Sequence, residues 1–294
     1  MIGIVLLVGM LAAACSAEPS TGPMGESHLD TETRQRGGDE AGRVLRFAVI
    51  GDSGWGGPEQ RALARRMCRF RRRHPFDLVF TTGDNVYPDG ARRHFRRTFF
   101  RPYRCLLRRD VRFHASLGNH DYLARRGRPQ LRTPAFGMRY RNYVVRTMGV
   151  RFVIADSMRL RVEWLRRSLT AQPGDNWTIA IFHHPVYSPG FHGSTPGFRA
   201  LLPRLLRRKG VDLVLNGHDH IYSYTRPLRR IRYVVTGGGG APLYPCSPRW
   251  FSRMCREIHH FLYVAAHPRR IWVRAVPIHG APVGLFSTPG RPPA

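Results

Sequence analysis

Five short polar clusters carry residue types able to bind metal ions: Gly51-Asp52-Ser53-Gly54, Gly83-Asp84-Asn85-Val86-Tyr87, Gly118-Asn119-His120-Asp121, His183-His184-Pro185 and Gly217-His218-Asp219-His220. Taken singly, most have an ordinary reading. A Gly-Asp after a strand is usually a turn or a helix N-cap, and a histidine beside a proline turn is usually packed. Gly-His-Asp-His is less ordinary, because two histidines two positions apart on a turn can present imidazoles to adjacent ions. Together the five supply aspartates, an asparagine, histidines and a tyrosine, with no thiolate. That donor set suits Fe, Zn and Mn and disfavours Cu(I) or an iron–sulfur cluster.

Each cluster directly follows an apolar run, so the elements that position them can be read next. Strands are predicted at 45–50, 77–82, 111–117, 150–155, 177–182, 211–215, 231–236, 261–265 and 271–276, and helices at 58–73, 91–101, 161–170 and 195–209. Strands alternating with helices predict an α/β sheet with a strand-rich later portion. Ligands in open α/β sheets bind beyond the carboxyl ends of strands. Five ligand-bearing loops are therefore expected at one edge of the sheet. Gly237 to Gly240 form a glycine run after a strand, read as a permissive turn beside the site.

The order and chemistry of the five clusters resemble the calcineurin-like metallophosphoesterases, and in detail the small, tartrate-resistant purple acid phosphatases. The resemblance runs from about Phe47 to about Gly240. It implies a single-domain, four-layer α/β/β/α sandwich over residues 44–279. The discriminating residue is Tyr87. Most of the superfamily has a histidine two residues after the first aspartate, where this chain has Gly54. Purple acid phosphatases lack that histidine too and use a tyrosine three residues after the second aspartate, the spacing of Asp84 and Tyr87.

Carried over by position, the resemblance implies two metal ions. Asp52, Asp84, Tyr87 and His220 would hold the first, an Fe(III) favoured by a hard phenolate. Asp84, Asn119, His183 and His218 would hold the second, Fe(II), Zn or Mn, with Asp84 bridging. His184 stands where the small phosphatases have tyrosine and is left outside the metal shell. The implied reaction is phosphomonoester hydrolysis by metal-activated hydroxide, with Asn119 also binding substrate. His120 would protonate the leaving oxygen, Asp121 would hold the His120 imidazole protonated, and His192 would contact the phosphate. A phosphodiesterase acting on nucleotides or phospholipids is the alternative enzyme. A non-catalytic anion-binding surface protein is the alternative outside enzymes.

The chain has 294 residues and a formal net charge of +29, almost all of it arginine, since Lys209 is the only lysine. Such a surface attracts anions. The plainer reading is arginine usage spread over solvated helix faces, and neither reading requires nucleic acid or an obligate protein partner. Residues Ile2 to Ala14 are apolar but too short for a membrane helix. They end in Leu11-Ala12-Ala13-Ala14-Cys15, so residues 1–15 read as a signal peptide resembling a bacterial lipobox, with Cys15 lipidated and anchoring the protein to a membrane. Ala12 stands where that motif has leucine, and no basic residue precedes the run. Residues 16–43 read as a flexible linker and 280–294 as an irregular tail. Export to the cell envelope, or secretion, permits disulfides. Cys68, Cys105, Cys246 and Cys255 allow three pairings; Cys68–Cys105 with Cys246–Cys255 is the one favoured here.

Overall fold

The computed structural model describes residues 44–289. The signal and linker segments expected over 1–43 lie outside the described residues. Two mixed sheets form the centre. The first has the order β13 (Val283–Pro289), β12 (Arg270–Pro277), β11 (His260–His267), β1 (Leu45–Ile50), β2 (Leu78–Thr81) and β3 (Arg112–Ala115). The second has the order β10 (Ser252–Arg256), β8 (Tyr222–Thr225), β9 (Arg232–Thr236), β7 (Leu213–Asn216), β6 (Trp177–Ile181), β5 (Val150–Ile154) and β4 (Tyr143–Thr147). β1, β2 and β3 run parallel, as do β5, β6, β7 and β9. All the carboxyl ends within each parallel set therefore point one way.

Both faces of these central strands are covered, which is why they read as continuous apolar runs. Along β1, Leu45, Phe47 and Val49 face the second sheet, while Ala48 and Ile50 face a helix. Phe152 joins the sheets, stacking on Phe80 with ring centres 4.1 Å apart and meeting Phe47 edge-on at 5.0 Å. Outside the first sheet lies α1 (Pro58–Arg71), which buries Leu63, Ala64, Met67 and Phe70. Shorter helical turns follow it: α2 (Arg104–Leu107), α3 (Asn119–Leu123) and α4 (Arg128–Leu131). Outside the second sheet lie α5 (Val162–Ser168) and α6 (Pro196–Arg208), seated through Leu165, Leu202 and Leu206. The result is a single four-layer α/β/β/α domain.

Three parts of the expected outline differ. The tail expected to be irregular from Gly280 instead contains β13, which pairs antiparallel with β12 and buries Phe286 and Thr288. Its pattern was hidden because only alternate side chains of an edge strand face the core, and Gly284 and Pro289 punctuate the rest. The strands β4, β8 and β10 were missed for the related reason that Ser, Thr and Arg interrupt their apolar positions. The helix expected over 91–101 is a 3₁₀ turn (Arg92–His94) followed by a π turn (Arg96–Phe100). In this wider coil Phe95 and Phe99 both reach the core, where they pack on Phe136. Cys68 pairs with Cys105, and Cys246 with Cys255, with Cα separations of 6.3 and 6.0 Å. These pairs suit an oxidising compartment.

Candidate metal centre

Five loops leave the carboxyl ends of β1, β2, β3, β6 and β7, and they bring all seven expected donor residues together. Close approach shapes the backbone here. Asp52, Asp84 and His218 adopt left-handed φ values of 54°, 50° and 72°, a strained conformation for residues with a Cβ. A Cβ on Gly118 would lie 2.2 Å from Asp84 Oδ1, so this position requires glycine. Gly54 is equally confined, since its Cβ would fall 2.1 Å from the Asn85 carbonyl. A histidine cannot occupy that position. The Tyr87 backbone N–H donates to the Gly54 carbonyl at 2.9 Å, holding the two loops together.

The donors form two groups sharing one oxygen. In the first, Tyr87 Oη lies 3.1 Å from Asp84 Oδ2, 3.1 Å from His220 Nε2 and 3.5 Å from Asp52 Oδ1. In the second, His183 Nε2 lies 2.8 Å from Asn119 Oδ1, 3.2 Å from His218 Nδ1 and 3.5 Å from Asp84 Oδ2. His218 Nδ1 is also 3.2 Å from Asn119 Oδ1. Asp84 Oδ2 is thus common to both groups. Its other oxygen, Oδ1, accepts the His120 backbone N–H at 2.9 Å.

The chemistry of this donor set fits cations. His183 Nδ1–H donates to the Thr82 carbonyl at 2.9 Å, and His220 Nδ1–H donates to the Pro242 carbonyl at 2.7 Å. Each tautomer is thereby fixed with an Nε2 lone pair facing the donor group, the outer hydrogen bonding expected of metal-ligating histidines. Burial pushes the His183 pKa down, and burial with neighbouring imidazoles pushes His218 far down. Both rings are therefore neutral, which ligation requires. Burial raises Asp52 and Asp84 above the usual carboxylate range. Burial, followed by the Asp84 and Asp52 charges, raises Tyr87 well above an ordinary phenol. For His220, burial acts downward, but the hydrogen bond and charge of Asp52 leave its pKa raised. Buried carboxylates, a phenol and facing lone pairs make a donor set suited to cations.

Around this centre the expected roles divide. The His120 ring packs on Tyr87, 4.3 Å between centres, and its Nδ1–H donates to the Pro88 carbonyl at 2.7 Å. His192 lies exposed at the mouth, stacked on His218 at 4.4 Å. Asp121 does not hold the His120 imidazole. Its carboxylate is fully buried and accepts the backbone N–H groups of Asn85, Val86 and Gly118 and the side-chain amides of Asn85 and Gln130. Burial, with the Asp84 charge second, pushes its pKa up to about 7. Asp121 therefore fixes the loop that carries Asp84 and Tyr87.

Other participants were not singled out from the sequence. Tyr244 stacks on His220 at 4.1 Å. Asp219, between the two ligand-type histidines, accepts from Ser188 Oγ and from the His192 backbone N–H at 2.8 Å, fixing the 188–192 loop. These partners lie about 30 residues apart, and no local pattern links them. His184, left outside the metal shell, sits close by. Donor atoms of His183, His184 and His218 lie within 4.8 Å of one another. His184 Nδ1 is bonded to Ser157 Oγ at 2.9 Å.

Fold and centre together define a class. This chain belongs to the calcineurin-like phosphoesterases, whose family profile matches residues 45–222. Among its relatives, it is 26% identical to Purple acid phosphatase 4 of Arabidopsis thaliana, over 83% of this chain and 81% of that protein. It is 24% identical to Tartrate-resistant acid phosphatase type 5 of Oryctolagus cuniculus, over 67% of this chain and 73% of that protein. The solved purple acid phosphatase PPD1 of yellow lupin (Lupinus luteus) superposes with a TM-score of 0.71 at 19% identity, covering 83% of this chain and 53% of that one. GAP50, the anchor in the inner membrane complex of Plasmodium, superposes with a TM-score of 0.74 at 16% identity, covering 85% and 90%. At these identities the two structural likenesses are of fold alone.

Proposed function

We propose that this protein is an exported acid phosphatase that hydrolyses phosphomonoesters with two bound metal ions. The observation that carries this reading is the shared oxygen, Asp84 Oδ2, standing between a Tyr87–Asp52–His220 group and an Asn119–His183–His218 group. In this assignment Asp52, Asp84, Tyr87 and His220 hold Fe(III). Asp84, Asn119, His183 and His218 hold Fe(II), Zn or Mn. When bound, the ions supply a nucleophile from water and neutralise the phosphoryl oxygens.

The remaining work falls to side chains. Asn119 and His192 orient the phosphate. His120 would give the leaving oxygen its proton from Nε2 as the imidazolium, the form in which Nδ1–H also stays on the Pro88 carbonyl. The reaction needs only the ester and water as partners. Anchoring through a lipidated Cys15 would place it at a membrane surface, and the two cysteine pairs support export.

Turnover of p-nitrophenyl phosphate against its bis ester tests the monoester reading. A kcat/KM for the monoester at least about tenfold above that for the bis ester is expected. A faster bis ester would transfer the protein to the phosphodiesterases.

A further inference from the structure

We propose that the large cleft beside the metal centre binds a run of consecutive phosphates, which makes oligophosphates the substrate class; the catalytic part of this assignment rests on the phosphatase reading above. The cleft has a volume of about 1470 Å³, beyond the ~300–1,000 Å³ of common small-ligand pockets. It adjoins the metal centre through one hydrogen-bonded seam. Tyr122, two residues past His120, donates its hydroxyl to the Asp156 carboxylate in the cleft wall. Ser157, the next residue, bonds His184, whose ring is 4.6 Å from that of His218.

Seven arginines line this cleft. The turn after α3 supplies Arg125, Arg126 and Arg128. The loop before β4 supplies Arg139 and Arg141, and the turn before α5 supplies Arg159 and Arg161. The one carboxylate in the lining, Asp156, is already engaged by Tyr122 and by the Met158 backbone N–H. Among the described residues none of the seven forms an ion pair. Ion pairs are sparse over the described surface as a whole: Arg71 pairs with Asp77, Arg93 with Asp89, and Arg166 and Arg167 with Glu163, while the arginines around Cys68 and Cys105 form none. What marks the cleft is the number of guanidiniums on one concave wall next to the centre. Arg125 and Arg126 hold left-handed φ values of 50° and 57°, a backbone strain that gathers at functional positions.

Guanidinium forks match phosphate oxygens in pairs, and cations on a concave wall focus their field into it. A lone phosphate would meet few of the seven. A chain of phosphates with its terminal group at the metal centre would meet several at once. In hydrolysis, a water oxygen bonds to the terminal phosphorus while the bond from that phosphorus to the bridging oxygen breaks. The bridging oxygen takes a proton, giving orthophosphate and a shorter chain.

The test compares wild type with an Arg126→Ala/Arg139→Ala/Arg159→Ala variant of the full, metal-loaded protein. All three side chains are exposed, so folding should survive. The KM for tripolyphosphate and for ATP should rise about tenfold more than the KM for p-nitrophenyl phosphate. An equal rise for both substrates marks phosphates alone as the determinant. A parallel rise for p-nitrophenyl phosphate, or none for tripolyphosphate, overturns the assignment. So does lost affinity for a single-stranded oligonucleotide with tripolyphosphate unaffected. Calorimetric titration with tripolyphosphate reads binding without turnover. Binding lost in the variant of a protein with no phosphatase activity would sink the catalytic reading alone, whereas unchanged binding would sink the cleft.

Discussion

A phenol becomes a ligand only when a cation offsets its reluctance to ionise, and Tyr87 is reluctant because it is buried beside two carboxylates. Tyr87→Phe should therefore remove the broad visible absorption of a tyrosinate–iron pair. An unchanged spectrum would exclude Tyr87 as an iron ligand. Asp84 and His120 are neighbours with separable tasks. Asp84→Ala should lose both ions and all activity, because one oxygen serves both donor groups. His120→Ala should keep its metal and lose about 10²–10⁴ in kcat, the usual contribution of a positioned acid. Metal analysis with kinetics on both variants distinguishes them, and full activity in either would refute the assignment. The clusters were legible in the sequence because aspartate, asparagine and histidine followed apolar runs, and the resemblance picked out the seven side chains that the fold brings together. Asp121 was not legible. An acid beside a histidine can face it or turn inward, and here the N–H of Gly118 in the same loop, with amides of Asn85, Val86 and Gln130 brought in from elsewhere in the chain, decides the direction.

Among the elements, β5 is tied to the loop before β6 by Asp175, whose carboxylate accepts from Arg151 at 2.6 Å and Arg146 at 2.9 Å. Burial would raise the Asp175 pKa, but the Gln172 N–H and the two guanidiniums hold it below the ordinary range. A carboxyl depressed in the folded state contributes stability that is complete above its unfolded pKa, about 4. That stability is lost as pH falls through the folded value. Asp175→Asn should destabilise the protein by about 3 kcal/mol near neutrality, because Arg151 stays buried without its partner. Urea unfolding should show the gap between wild type and variant closing as pH falls below the ordinary carboxylate range. A gap unchanged by acid would remove the ion pair as its cause. Central strands such as β1, β6 and β7 were readable because burial on both faces makes them apolar throughout. Edge strands β4, β10 and β13 need apolar residues only where they face the core, and the partner of β10, β8, lies about 30 residues back.

At the scale of the molecule, the pattern of runs gave an α/β sheet and the family resemblance implied the α/β/β/α layering, while the gathering of the arginines was not legible. Residues 125–128, 139–141 and 159–161 look like solvated charge until the fold sets them around one concavity. The donor geometry also has a mechanical side. Asp52, Asp84 and Asn119 hang from β1, β2 and β3 of one sheet. His183, His218 and His220 hang from β6 and β7 of the other. Ions gripped by both would act as rivets through the two slabs, so loading and folding become one equilibrium. Each ion held at a free concentration 100 times its Kd would add about 2.7 kcal/mol of stability. Chelation should then lower Tm and loosen amide protection first in the strand ends on that side, well before the outer helices open. A chelated protein melting at the same temperature would mean that the slabs hold together without them.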